Sequence, residues 1–304
     1  MRIVSLLPSA TEIVCALGLR EALVGVTHDC DFPAEVRGLP RVTRLLLAGG
    51  RARGESRSAA IDRKVKETLH AGASLYHVDV DAIERLEPDL IVTQQSCSVC
   101  FVAPETVALA TDRMKGHPQV VFLEPRSLAD VYANIRTVAV AAGVAQRGEA
   151  LVSALRARAE AVVRLTSTQA KRRATVLIWT DPLMGSGQWT PELVELAGGV
   201  PVVSFPGADA RAIAWEQLES ADPEVVIVAL PGMRPRAARA AVEDLRRTAP
   251  RWEAFAARRR VVLIDGHWYA NRPSPRLIDT IELFASAIHP EVVDARGLDA
   301  LAIL

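Results

Sequence analysis

Four side chains have the types and spacing to hold a soft metal. Cys97-x-x-Cys100 brings two sulfurs within reach of one ion from a single turn, and His28-x-Cys30 offers an imidazole and a thiol from a second segment. Together His28, Cys30, Cys97 and Cys100 form a candidate site for a thiophilic divalent cation, zinc first by ligand softness. The same spacing also suits a redox pair or two small buried side chains, and it leaves a metal-dependent or thiol enzyme as the alternative function. Other catalytic signatures are missing. The chain has no phosphate-binding Gly-x-x-x-x-Gly-Lys, no dinucleotide Gly-x-Gly-x-x-Gly, no Gly-x-Ser-x-Gly elbow and no His-Glu zinc-protease pair. Ser9 and Ser186 therefore read as cap or loop hydroxyls, Cys15 as core, His70 and His117 as surface, and His77 as either ligand-facing or a core hydrogen-bonding group.

The elements that must position these residues follow from periodicity. Short apolar runs alternate with helix-period segments, the pattern of βαβ units, and predict strands at 3–7, 23–27, 75–78, 90–94, 120–123, 175–180, 201–204, 225–230 and 261–264. Between the two sets lies a helical stretch opened by Ser127, whose part from 146 to 166 would be about 31 Å long at 1.5 Å per residue. The expected organisation is an N-terminal α/β lobe (1–126), a helical linker (127–170) and a C-terminal α/β lobe (171–304). An internal echo supports two lobes. Residues 82–92 align without gaps on 217–227, both reading helix, acidic-Pro turn, buried strand, and residues 8–18 resemble 190–199 as helices that end in Gly.

In open α/β sheets ligands bind beyond the carboxyl ends of the strands, so two lobes imply a cleft between them. The segments expected there carry Pro8 and Ser9 in the first set, and Trp179, Trp189, Met233, His267, Trp268 and Tyr269 in the second. Loop aromatics suit a large planar or apolar ligand, or equally plug the ends of the sheets. Arg51–Ser58 reads as a solvated polar loop or a cationic flap.

Composition narrows the partners. The 304 residues carry 36 basic and 36 acidic groups, so no net field recruits nucleic acid or an anionic membrane. No run of 18 apolar residues predicts a membrane span, and nothing at the start has the form of a secretory leader or lipid anchor. The expectation is a cytoplasmic chain whose four cysteines are reduced thiols or metal ligands.

The residues also carry a resemblance. Ser5-Leu-Leu-Pro-Ser-Ala-Thr-Glu12, Val26-Thr-His-Asp-Cys-Asp-Phe-Pro33, Pro88-Asp-Leu-Ile-Val-Thr-Gln94, Trp189-Thr-Pro-Glu-Leu193 with Ala197-Gly-Gly199, and Asp265-Gly-His-Trp-Tyr269-x-Asn271-Arg-Pro-Ser-Pro-Arg276 are spread over nearly the whole chain. In these it resembles the cobalamin-binding proteins of the bacterial substrate-binding class with a helical backbone, a class that includes haem, siderophore and metal receptors. The Cys-containing loops and closing segment resemble a leaderless branch of it. The resemblance implies two Rossmann-like lobes joined by a long backbone helix, with cobalamin, another corrinoid or a related planar metal chelate bound in the cleft without catalysis. It adds Arg272 to the ligand-binding residues; His28 and His267 are candidates to approach the central metal of such a ligand, and neither is assigned by the sequence. A receptor that feeds an ABC transporter lies outside the membrane, so the expected partner is the small molecule, with a transporter partner doubtful.

Overall fold

In a computed structural model, residues 1–47, 52, 54–94, 111, 114, 116–294 and 302–303 are described. By internal contacts the chain divides into two compact units. The first comprises Met1–Gly49, Arg63–Pro125 and Ala129–Ala154, the second Gly50–Asp62, Arg126–Leu128 and Leu155–Leu304. Within the stretch 127–170 a boundary between the units falls between Ala154 and Leu155.

In the first unit, strands β1 (Ile3–Ser5), β2 (Leu23–Val26), β5 (Leu90–Gln94) and β6 (Gln119–Leu123) form a parallel sheet in the order β2-β1-β5-β6. Ile3, Val4, Leu90, Ile91 and Val92 are at most 1% exposed, as continuous apolar runs covered on both faces require. Helix α1 (Pro8–Ala16) starts on a proline, which gives up no helical hydrogen bond there, and ends at Gly18 with φ +74°. Tyr76–Val78 (β4) does not join this sheet. It pairs antiparallel with Thr43–Leu45 (β3) in a separate two-stranded ribbon, where His77 is exposed, and needs no second covered face.

The second unit repeats the plan. Strands β7 (Arg172–Thr180), β9 (Gly199–Pro201), β10 (Val225–Val228) and β11 (Arg260–Leu263) are parallel in the order β9-β7-β10-β11, the same permutation as before. The last residues of β7 also pair antiparallel with Leu183–Gly185 (β8). Val225–Val228 is wholly buried, the centre of a core that holds Leu177, Leu218, Leu230, Val242, Trp252 and Leu263.

The internal echo extends to hydrogen bonds. Glu87 and Asp222, aligned in sequence, both turn through left-handed backbone at φ 41° and 43°. Two residues on, the Asp89 carboxylate accepts from the Arg2 backbone N–H at 2.7 Å and the Glu224 carboxylate from that of Arg173 at 2.9 Å. Gly198, like Gly18, ends its helix (Thr190–Leu196) at positive φ. The helix expected at 146–166 runs Ala145–Thr166, with Val152, Leu155, Ala159 and Val162 on its buried stripe.

Candidate functional site

In the first unit the residues after β1 and β2 build a buried hydroxyl and thiol chain. Ser5 Oγ donates to the Leu7 carbonyl at 2.9 Å, and Thr11 Oγ1 donates to Ser5 Oγ at 2.8 Å. The Thr11 proton being so used, the Cys30 thiol donates to Thr11 Oγ1, with Sγ to Oγ1 at 3.0 Å. Thr27 Oγ1, 3.0 Å from Cys30 Sγ, accepts from the Asp29 N–H and gives its own proton to the sulfur. Protons therefore run one way, Thr27 to Cys30 to Thr11 to Ser5 to Leu7, and the sulfur is a thiol that both gives and receives.

His28 is engaged elsewhere. Its Nδ1 lies 2.8 Å from Thr43 Oγ1, and its ring meets Tyr76 with centroids 5.5 Å apart. Burial, with Arg41 nearby, lowers its pKa against the opposing pull of Asp29. Cys97 and Cys100 lie outside the described residues. Among the described residues no group of three or more His, Cys, Asp or Glu side chains could hold a metal ion. Pro8 is half-buried at the start of α1, and Ser9 is buried within it. Cys15, expected in the core, is only half-buried; desolvation still pushes its thiol up to about 12. His70 and His117 are exposed, as expected.

In the second unit the loops after β10 and β11 meet, and the end of β7 takes up a separate segment. Trp179 is half-buried and donates from Nε1 to the Ser58 carbonyl at 3.2 Å. Ser58 Oγ lies 2.6 Å from Thr180 Oγ1, and Ser56 Oγ donates to Asp181 Oδ2 at 2.7 Å. The stretch read as a solvated loop or flap is thus docked where it is described, with Ser56 and Ser58 at most 2% exposed, because its hydroxyls match acceptors more than 120 residues away.

Trp189 is turned inward and donates from Nε1 to the Ala270 carbonyl at 2.7 Å, fixing the closing segment; Met233 sits in the core. The segment itself is tightly tied. Asp265 is buried, and its Oδ1 accepts from the N–H groups of His267 at 2.9 Å and Trp268 at 3.1 Å. Asn271 Nδ2 donates to the carbonyls of Ala229 at 3.0 Å and Gly266 at 2.8 Å. Gly266 is obligatory, since a Cβ there would land on the backbone of Leu230.

On this frame stands an arginine and aromatic group. The Trp268 ring carries the Arg234 guanidinium carbon 4.6 Å and the Arg276 one 5.4 Å from its centroid, and Arg276 is 5.5 Å from the Tyr269 centroid. Arg272 Nη2 lies 2.9 Å from His267 Nε2; a guanidinium only donates, so Nε2 accepts and the imidazole proton sits on Nδ1. The structure brings His267, Trp268, Tyr269 and Arg272 together, as the sequence singled them out. It adds Arg234 and Arg276, whose signal was the density of Arg and Pro about the aromatics.

Comparison with known proteins gives the same architecture. A family model described as periplasmic binding protein matches residues 3–266. The chain is 24% identical over 304 residues to an uncharacterized ABC transporter substrate-binding lipoprotein of Bacillus subtilis, covering 95% of this chain and 80% of that one. It is 23% identical over 288 residues to a vitamin B12-binding protein of Vibrio cholerae, covering 92% of this chain and 86% of that one. A periplasmic heme-binding protein from a Roseiflexus species, solved in apo form, superposes with a TM-score of 0.68 at 22% identity, covering 96% of this chain and 98% of that one. With two units of one strand order and a family match over most of its length, the chain belongs to the periplasmic binding protein family.

Proposed function

We propose that the protein reversibly binds a corrinoid, cobalamin or a close relative, and returns it unchanged. The observation that carries this reading is Trp268, half-exposed at the carboxyl edge of the second sheet and held there by Asp265, where a rigid aromatic ring meets a planar ligand at little entropic cost. The vitamin B12-binding relative and the heme-binding structural neighbour, both named for tetrapyrrole-type ligands, support it.

Calorimetry with cobalamin and with cobinamide tests the proposal, read alongside the ligand's visible spectrum before and after release. Stoichiometric heat and an unaltered released ligand are expected. Absence of both heat and tryptophan quenching at millimolar ligand would remove the corrinoid reading. For the compartment we propose the cytoplasm, on cysteine usage: Cys15 and Cys30 stand as thiols. Recovery from the periplasmic or extracellular fraction of native cells would overturn that assignment.

A further inference from the structure

We infer that the second unit carries a site for a small primary amine in its ammonium form, separate from the Trp268 loop. The site is a hollow of about 300 Å3 between the turn that follows β7 and the last turn of the helix Pro235–Thr248. That volume is at the lower end of small-molecule sites. Asp181, Thr180, Thr248 and Trp215 line it, with Leu183 and Leu245 from the core beneath.

The chemistry of the walls is that of an acceptor. Among the described residues that line the hollow Asp181 alone is charged. Its Oδ2 accepts from Ser56 Oγ at 2.7 Å, and its Oδ1 has no partner among the described residues, so much of the carboxylate's capacity is unspent. Thr248 Oγ1 gives its proton to the Asp244 carbonyl at 3.0 Å and keeps its lone pairs. Thr180 Oγ1 lies 2.6 Å from Ser58 Oγ, and whichever of the two donates, both retain acceptor capacity. Leu245, Thr248 and Ala249 close a 14-residue helix, whose final carbonyls and dipole favour a cation. The two arginines of that turn are engaged, Arg246 with Glu253 at 3.1 Å and Arg247 with Asp244 at 3.3 Å. Trp215 is half-buried, and its ring already has the Arg251 guanidinium 5.9 Å from the centroid, as a face that attracts positive charge would.

An ammonium group fits this set because it brings a charge and several N–H donors and needs no donor in return. A guanidinium would seek both carboxylate oxygens at once, and Oδ2 is committed to Ser56. A divalent cation would need several grouped acids, which the described residues do not supply. Trp215, Leu183 and Leu245 suit a short apolar or aromatic body behind the nitrogen.

The probe is 2-phenylethylamine, set against its N-acetyl derivative, which has the same body without the charge, and against 3-phenylpropionate, which reverses it. Each is titrated into the full chain while the indole N–H signals are followed by NMR, that of Trp215 being the one lost in Trp215→Phe. The amine should shift this signal saturably and bind about tenfold or more tightly than either analogue, as a hydrogen bond to a charged group allows. The preference should shrink between roughly 0.05 and 0.5 M salt. Asp181→Asn keeps an acceptor for Ser56 but removes the charge, so it should weaken the amine several-fold and leave the N-acetyl derivative unchanged. Equal binding of amine and N-acetyl derivative by the wild type overturns the ammonium site, as does the lack of any saturable Trp215 shift at tens of millimolar amine. Either failure leaves the corrinoid reading standing, since that is decided by calorimetry with other ligands.

Discussion

The buried sulfur of Cys30 shows how a residue type and its environment divide the labour. By type it is a metal ligand, yet the hydroxyls at 3.0 Å on either side use it as a thiol in a one-way chain of hydrogen bonds. Cys30→Ala should therefore leave Thr11 and Thr27 facing a small void, at a cost of about 2 kcal/mol in urea unfolding. Metal content of protein purified without chelators separates this role from the zinc expectation. A metal equivalent that disappears in Cys30→Ala would make the sulfur a ligand. Two shifted groups of the first unit, His28 and Cys15, set opposite pH limits. The lowered pKa of His28 means that the unfolded chain takes up its proton first, so this contribution to stability is full above the ordinary value of 6.5 and is lost as pH falls below it. The Cys15 thiol, raised from 9.0 to about 12, contributes fully below pH 9 and loses that stability as pH rises through the alkaline range. Chemical denaturation across pH should show His28→Gln flattening only the acid slope and Cys15→Ala only the alkaline one.

At the scale of elements, matching turns carry the repeat between the units. Glu87 and Asp222 both sit in left-handed backbone, which costs a side-chain-bearing residue roughly 1–2 kcal/mol, but their side chains differ in use. Glu87 is exposed, whereas Asp222 meets Arg173 at 3.1 Å and Arg259 at 2.7 Å. Glu87→Gly should gain about 0.5 kcal/mol after the added freedom of the unfolded chain is subtracted, while Asp222→Gly, losing its ion pairs, should gain nothing or destabilise. Thermal melts of the two variants decide it; equal gains would show the Asp222 pairs to be inert. These turns were legible because an acidic-Pro step between an amphipathic segment and a Val/Ile/Leu run has one meaning wherever it occurs. Thr43–Leu45 was not, since two of its three residues are exposed and its partner lies more than 30 residues on. Nor was the docking of Ser56 and Ser58 on Asp181 and Thr180, which depends on pairing across half the chain and leaves no local period. The arginine stacks on Trp268 fall in the same class: each residue stands in the sequence, but only the fold puts one against another.

For the whole molecule, alternation and the internal echo were enough to give two α/β units, because covered parallel strands need long apolar runs and each run needs a helix to cover it. What they could not give was which edge residues face a ligand and which close the core. Trp189 and Trp268 look alike in sequence, yet one is spent on Ala270 and the other carries two guanidinium groups. That difference yields a measurement on the intact protein. A ligand that binds only the native state stabilises it by about 2.7 kcal/mol at a hundredfold excess over Kd, which for a chain of this size raises Tm by several degrees. Trp268→Ala removes the stacking surface but lies at the loop's half-exposed edge, so it should melt near the wild type alone and lose most of the ligand-induced rise. Trp189→Ala opens a cavity in the core and frees the Ala270 carbonyl, so it should lower Tm without ligand by an amount worth about 3–5 kcal/mol. Its remaining folded fraction should still respond to ligand. If both variants lose the ligand response to the same degree while Trp189→Ala retains its stability, the inward tryptophan is itself part of the binding surface and the division drawn between the two rings is wrong.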